Sequence, residues 1–346
     1  MIQQLDYAAA SHMQAWLGVD ISAATFDACL LVVRNSKDKE WHKSFSNTPS
    51  GFEKLLRWVA SLVPGLLETQ ACHFCMEATG AYSQALALFL ADAGHPVSVI
   101  NPAYVKYSGK GAGASNKTDP ADARQTAYYA RKERPAFWRA SLPEVRTLVA
   151  LMRRLEALKA HLIQETNRLG VPGLANVPVV HESVTKSMSF LAGEIEELEK
   201  EARSHIDNHP GLKGDKELLL SIPGIGEVAA HWILAELPDV SLFPCAQAAA
   251  AYAGLNPKEH RSGTSVHKPG RISKGGNRNL RKALYMPALV AHRFNPIVKE
   301  LFDRLIERGM ARKAAICAAM RKLLMIAYGV LKNQTKFTYV SPQTKA

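Results

Sequence analysis

The sequence predicts a chain of class α/β plus mostly α: a mixed sheet with its helices first, a helical hairpin next, and a helical region last. Three observations predict it. Up to about residue 140, short apolar runs rich in β-branched residues alternate with stretches of helical spacing. Leu148, Leu155, Leu162 and Leu169 then recur every seven residues. Beyond Pro210 and Gly211 the apolar spacing is helical almost to the end. The domains expected are a sheet domain over 14–140, a helical hairpin or coiled coil over 141–209 and a helical C-terminal domain over 210–346.

The sheet domain opens with three strands. "AWLGVDIS" is an apolar run with a polar tip, "FDACLLVV" is strongly β-forming, and "WHKSFSNT" alternates in part. "TPSGFEKLLRWVASLV" has an N-cap signal and helical spacing. "ACHFCMEATG" is a buried strand ending in an acid and a glycine, and "AYSQALALFLADAG" is a helix stopped by Gly94. "HPVSVINP" is a further strand. A basic, glycine-rich stretch follows, and "TDPADARQTAYYARKE" is a helix with Pro120 in its first turn and Thr118 or Asp119 as its cap. The order βββ-α-β-α-β-α suits a mixed sheet covered by helices.

In the hairpin, Leu151 and Leu158 fall between the heptad leucines. A second series pairs Val184, Leu191 and Leu198 with Met188, Ile195 and Ala202. Two antiparallel helices explain this, packed on their own domain or forming an oligomer seam. "LLLSIPGIGEVAAHWILAEL" reads as helix, Pro-Gly turn, helix, and a polar segment at about 255–277 interrupts the helices that follow.

The chain has 346 residues, 43 Lys+Arg against 31 Asp+Glu, a formal net charge of +12 and a pI near 9.5. That balance favours a polyanionic partner, nucleic acid or an anionic membrane. No apolar run approaches the roughly 18–20 residues of a membrane-crossing helix, and no signal-peptide layout is present. Ser11-His12-Met13 reads as a cloning junction, so residues 1–13 carry little weight. The five cysteines are odd in number, scattered and mostly in apolar segments, as expected of reduced, buried thiols in a cytoplasmic protein. Cys72 and Cys75 form a lone CxxC without a second pair, so two positions on a buried strand explain them better than zinc does.

Four acids stand out. Asp20 ends the first strand, Glu77 ends the fourth, and Asp119 and Asp122 open the helix after the fifth. If the first and fourth strands are neighbours, all four meet at one edge of the sheet. Carboxylates so placed repel one another unless divalent metal lies between them, and all-oxygen ligation suits Mg2+. Two such ions can clamp the attacking and leaving oxygens of a phosphodiester. Lys106, Lys110 and Lys117, in the basic stretch beside the acids, are then candidates for nucleic-acid contact. Taken singly, Asp119 also fits a helix cap and Asp122 a solvated helix position.

This arrangement resembles the RNase H-like fold in its RuvC-like, Holliday-junction resolvase version. "GVDIS", "MEATG", "VINP" and "NKTDPADA" together resemble the DEDD-type insertion-sequence transposases, the bridge-RNA-guided serine recombinases related to the pilin-gene invertase. The likeness continues through "SIPGIGE", "AYAGLNP", "RSGTSVHKPGRISKGGNRNLRKALYMPA" and "MRKLLMIAYGVLKN", in the family's order and over nearly all of the chain beyond residue 14. It implies that Asp20, Glu77, Asp119 and Asp122 hold Mg2+, for which Mn2+ can substitute.

The segment from Lys258 to Lys282 holds eight Lys/Arg and one acid, Glu259, together with Ser262, Ser265 and Ser273. On residues alone it is a basic, glycine-rich loop that grips phosphate backbone, or a site where Arg261, Lys268, Arg271 and Lys274 activate a serine. The resemblance implies the second: Ser262 attacks DNA and forms a covalent phosphoserine link, with Ser265 as the fallback. It also implies a structured guide RNA, donor and target DNA, and a homo-oligomer, dimer to tetramer, in which the acids of one subunit work with the serine of another. A cytoplasmic, nucleoid-associated location in a bacterium follows. "IPGIGE" resembles a helix-hairpin-helix turn, where Gly224 and Gly226 offer backbone N–H groups to phosphate, and Arg278 extends the basic surface. The alternatives are a junction-type nuclease using water at the same acids, a programmed DNA invertase with the same chemistry, and a non-catalytic nucleic-acid binder.

Overall fold

The computed structural model describes residues 14–34, 37–78, 81–101, 119–171, 173, 177–262 and 266–339. The chain divides into two units, Met1–Ala140 and Ser141–Ala346.

In the first unit β1 (Ala15–Ile21), β2 (Thr25–Arg34) and β3 (Lys37–Ser46) form an antiparallel meander. Helix α1 (Pro49–Leu62) follows, capped by Thr48, whose Oγ1 accepts from Gly51 N at 3.3 Å. β4 (Cys72–Glu77) pairs parallel to β1, and after α2 (Ala81–Asp92) β5 (Val97–Ile100) pairs parallel to β4. The strand order is β3-β2-β1-β4-β5. This is the mixed, helix-covered sheet expected from the strand and helix pattern.

Strand alternation splits the apolar residues between two faces. Leu17, Val19, Phe26, Leu30, Phe74 and Met76 pack with α1 and α2 residues such as Phe52, Leu55 and Leu86. The other face carries Trp16, Cys29, Leu31 and Cys75, and is covered by Ala123, Ala127 and Ala130 of α3 (Asp119–Glu133). Central strands covered on both faces must be apolar throughout, which is why β1 and β4 read as unbroken apolar runs. Cys72 and Cys75 fall in separate clusters on opposite faces of β4, so they do not form a chelating pair.

In the second unit α4 (Pro143–Leu169) and α5 (Pro178–Asp207) form an antiparallel hairpin. The His205 ring Nε2 lies 2.8 Å from Glu144 O at its base, and Lys159 Nζ lies 2.6 Å from Glu199 Oε1 further along. Leu148, Met152, Leu155, Ala202 and Ile206 at the base join the core of the helices that follow, whereas Ile163 and Phe190 are 60% and 66% exposed. Those helices are α6 (Pro210–Leu220), α7 (Glu227–Glu236), α8 (Ala246–Tyr252), α9 (Arg278–Ala283), α10 (Tyr285–Phe294), α11 (Pro296–Glu307) and α12 (Arg312–Asn333).

Three sequence expectations need correction. The polar segment at 255–277 is a two-stranded hairpin, β6 (Pro257–Ser262) and β7 (Val266–Ile272), where a loop was one expectation. Its strands carry basic residues and little apolar alternation, so cross-strand pairing was invisible in the pattern. Cys245 is exposed and Cys317 half-buried, so two of the cysteines depart from the buried-thiol expectation. Finally, α12 is long and apolar enough to cross a membrane by length and composition. Its Ala315, Ile316, Ala319, Leu323, Leu324 and Ala327 are instead buried in the helical core, which explains the composition.

Candidate functional site

β1 and β4 are neighbours, and this decides where the acids go. Gly18 pairs with Cys75 and Val19 with Met76, so the next step of the register sets Glu77 beside Asp20. Paired residues on adjacent strands point to the same face. Asp20 and Glu77 therefore share the face of Gly18 and Cys75, which is the face under α3.

The helix sits hard against that face. A Cβ added at Gly18 would lie 2.1 Å from Ala123 O and 2.3 Å from Ala127 N, so only glycine admits the backbone of α3 there. Ala123 is one turn from Asp119 and adjacent to Asp122, which brings the first turn of α3 over the end of β1. Asp122 is half-buried, and its carbonyl accepts from Thr126 Oγ1 at 3.0 Å. Asp119 begins the helix; its side chain lies outside the described residues. A helix N-terminus favours carboxylates in its first turn.

α3 is also pinned along its length. Arg124 Nε donates to Glu40 Oε2 at 2.7 Å and Nη2 to Oε1 at 2.9 Å, while Tyr128 OH donates to the same Oε1 at 2.6 Å. Arg131 Nη1 reaches Asp38 Oδ2 at 2.8 Å. The Arg124 fork holds the Glu40 carboxyl down at about 2. Burial, with the Glu77 charge added, pushes the Cys75 thiol up to about 12, so it stays neutral beside the acids.

Two acidic features were missed in the sequence. Asp27 lies directly opposite Asp20 in the β1–β2 register and accepts a hydrogen bond from Ser44 Oγ. No local pattern signalled it: the β1–β2 register, with Ile21 opposite Phe26, is what sets Asp27 against Asp20. Glu236, in the second unit, is 4% exposed. It accepts from Arg153 Nε at 3.0 Å, Asn277 Nδ2 at 2.8 Å and Asn279 Nδ2 at 2.9 Å. Burial opposes its ionisation, but these donors outweigh burial and hold its carboxyl below the ordinary value.

Glu236 anchors the base of the β6–β7 hairpin. Ser273 N and Oγ donate to Asn256 O and Oδ1 at 2.9 and 2.6 Å, and Asn277 N donates to Tyr252 O at 2.7 Å. Arg281 Nη1 holds Ala253 O at 2.8 Å. Gly276 has φ +137°, and a Cβ there would meet Tyr252 O at 2.3 Å. Ser273 is therefore a structural clamp. Ser262 is the last residue of β6, paired with Val266 beside the hairpin tip. The side chains of Ser262, Arg261, Lys268 and Arg271 lie outside the described residues, as do Ser265, Lys106, Lys110 and Lys117 entirely. Lys274 and Arg278 are exposed. Gly224, at φ +104°, packs against Ala291, so its first requirement is close approach to α10, whereas space beside Gly226 is open.

The family model described as "Transposase IS116/IS110/IS902 family" matches residues 216–303, and a DEDD transposase model of IS110 elements matches residues 17–171. The pilin gene-inverting protein of Moraxella lacunata is 33% identical over 94% of this chain and 98% of its own. A transposase for the insertion sequence element IS1328 of Yersinia enterocolitica is 24% identical over 82% of this chain and 89% of its own. That for IS1111A of Coxiella burnetii is 27% identical over 93% and 90%. Among solved structures, T. thermophilus RuvC in complex with a Holliday junction substrate is 18% identical and covers 36% of this chain and 99% of its own, with a TM-score of 0.26, a likeness too slight to bear on mechanism.

Proposed function

This chain belongs to the IS116/IS110/IS902 family of DEDD transposases, enzymes acting on DNA phosphodiesters, and we propose that it cuts and rejoins the DNA of a mobile element through attack by Ser262, guided by a structured RNA. The metal-dependent part of this reading is supported by the register that sets Asp20 beside Glu77 under the first turn of α3.

DEDD character implies divalent metal, and the donor set fits it: carboxylates brought to one sheet face by the β1–β4 register. Asp20, Glu77, Asp119 and Asp122 would hold the metal, Mg2+ in this reading with Mn2+ as its substitute. It supplies Lewis-acid stabilisation of the charge that develops on phosphate oxygen.

The chain's own residues do the rest. The Ser262 oxygen forms a bond to phosphorus as one ester bond of the phosphodiester breaks; the serine gives up its proton and the leaving oxygen takes one. The phosphoserine link keeps the ester energy, so the reverse attack by a DNA hydroxyl rejoins strands without ATP. Arg261, Lys268, Arg271, Lys274 and Arg278, with Lys106, Lys110, Lys117 and the Gly224–Gly226 turn, grip phosphate backbone and set a steep salt dependence without reading bases. The turn acts as a helix-hairpin-helix element, and the α4–α5 hairpin as a coiled-coil seam for a dimer or tetramer. Base-pairing with the guide RNA selects the donor and target DNA. The position of those sites decides between transposition and inversion, and the reaction takes place in the bacterial cytoplasm at the nucleoid.

Ser262→Ala is expected to abolish SDS-resistant protein–DNA adducts while leaving DNA binding within about two-fold. Adducts that persist in this variant and vanish in Ser265→Ala would move the nucleophile to Ser265. Metal-dependent cleavage with no adduct in the unaltered protein would favour hydrolysis by water. RNA recovered from the purified protein and sequenced is expected to be one defined species encoded beside the protein's own gene; random cellular RNA would remove the guided step.

A further inference from the structure

We propose that Cys29, Glu40 and His42 form a second metal site, distinct from the acid edge, that takes a borderline-soft divalent ion of the Zn2+ class on the β2–β3 hairpin. Cys29 and His42 are directly opposed in the β2–β3 register, and Glu40 lies two residues before His42 on the same face. Cys29 Sγ is 3.7 Å from His42 Nε2, which is 3.5 Å from Glu40 Oε2. All three ligand atoms lie within 4.8 Å of one another.

The two separations from His42 are those of a coordination shell, and the third pair lies within 4.8 Å. Tetrahedral zinc, with bonds of about 2.0–2.3 Å, sets its ligand atoms about 3.3–3.8 Å apart. A lone hydrogen bond explains each pair, but it does not require three donors of different chemistry to converge. Sulfur, imidazole nitrogen and one carboxylate select Zn2+ or Co2+ over Mg2+, which prefers oxygen alone. The acid edge offers the reverse choice.

Cys29 is fully buried, and burial together with the charge of Glu40 pushes its thiol up to about 12. It is therefore neutral without an ion, and binding must release its proton to solvent as the sulfur–metal bond forms. The His42 side chain is 39% exposed, which leaves the ion a way in beside a hollow lined by Asp27, His42 and Ser44. At Glu40 the ion competes with Arg124 for Oε2, while Tyr128 and the Arg124 Nη2 group stay on Oε1. Loading the site thus loosens one tooth of the fork that pins α3, the helix that opens with Asp119 and Asp122.

The test is titration of the chelator-stripped, full-length protein with Co2+ alone. Thiolate-to-cobalt charge-transfer absorption and tetrahedral visible bands are expected to saturate at about one equivalent per chain and to collapse on adding Zn2+, but not under excess Mg2+. Cys29→Ser should remove the charge-transfer band, His42→Ala should weaken binding by roughly ten-fold or more, and Cys245→Ala should change nothing. Since Cys29 is buried and its replacement can unfold the sheet, the His42 variant, checked for native circular dichroism, decides alone in that event. Absence of the band in the unaltered protein, its survival at full affinity in His42→Ala, or its loss under Mg2+ would overturn the site.

Discussion

The acid edge and the serine hairpin are held in place by opposite means. At the acid edge, position follows from backbone register: once β1 and β4 pair in parallel, Asp20 and Glu77 have no choice of face, and Gly18 lets α3 close on them. The β6–β7 hairpin rests on a polar network. Glu236, Asn277, Asn256 and Ser273 join it at the base to α7, α8 and α4, and its tip carries Ser262. A packed sheet resists small shifts, because moving one strand moves all its neighbours. A hydrogen-bonded base can loosen without the core beneath it unfolding, so the two regions should fail differently.

The largest contrast is in chemistry. Asp20→Asn or Glu77→Gln should lower DNA strand cleavage by about 10²–10³-fold with secondary structure and DNA binding preserved, measured on a labelled duplex in Mg2+. A variant that still cleaves would separate the register from the reaction.

Next comes Gly18→Val. Its side chain has no room against Ala123 and Ala127, so α3 must shift; a loss of about 1–3 kcal/mol or more in denaturant unfolding of the first unit is expected, together with loss of cleavage. Unchanged stability would mean the helix is not seated on β1.

Glu236→Ala should sharpen the comparison from the other side. The loss is about 1–3 kcal/mol, because Asn279 Nδ2 loses its carboxylate acceptor and Asn277 Nδ2 keeps only the longer contacts to Glu236 O and Tyr252 OH, while Arg153, 56% exposed at its side chain, turns to solvent. Amide exchange is expected to speed up across residues 273–279 and the β6–β7 hairpin while the sheet of the first unit keeps its protection. Uniform loss of protection throughout the helical unit would show that the network supports the core and not the hairpin.

The smallest effect is a pH dependence to which the sheet contributes. His73 is buried, donates from its ring Nε2 to Ser98 Oγ at 2.8 Å, and is held down to about 4 by burial. Below its free value of 6.5 the unfolded chain binds the proton that the folded chain refuses, so stability should fall as pH drops from about 6.5 towards 4. Glu40 adds a separate loss from 4.5 towards 2, where its stabilising charge is titrated away. His73→Gln should reduce the slope of the upper window and leave the lower one unchanged in urea midpoints measured against pH, the remaining slope coming from His95 and His231, which burial also holds down.

Much of this was legible in the chain. The three-stranded meander, the alternating units after it, the heptad hairpin and the Pro-Gly turn are local patterns, and each formed where its spacing put it. The four acids were legible as strand ends and a helix start. Asp27 was not, because a single acid in "FDACLLVV" means little until the β1–β2 register sets it opposite Asp20. Arg124, Tyr128 and Glu40 were not, because some eighty residues separate β3 from α3 in sequence. Glu236 looked like an ordinary helix end, and burial against two asparagines forty residues away changed its meaning.

What the sequence determined by itself is periodicity: which segments are strands and helices, which face of each is apolar, and which residue types stand at their ends. Only the tertiary structure decided which strands are neighbours. Side-chain direction along one element follows from a repeat of a few residues, whereas pairing between elements is set by the joint burial of faces far apart in the chain, and no local pattern contains that sum.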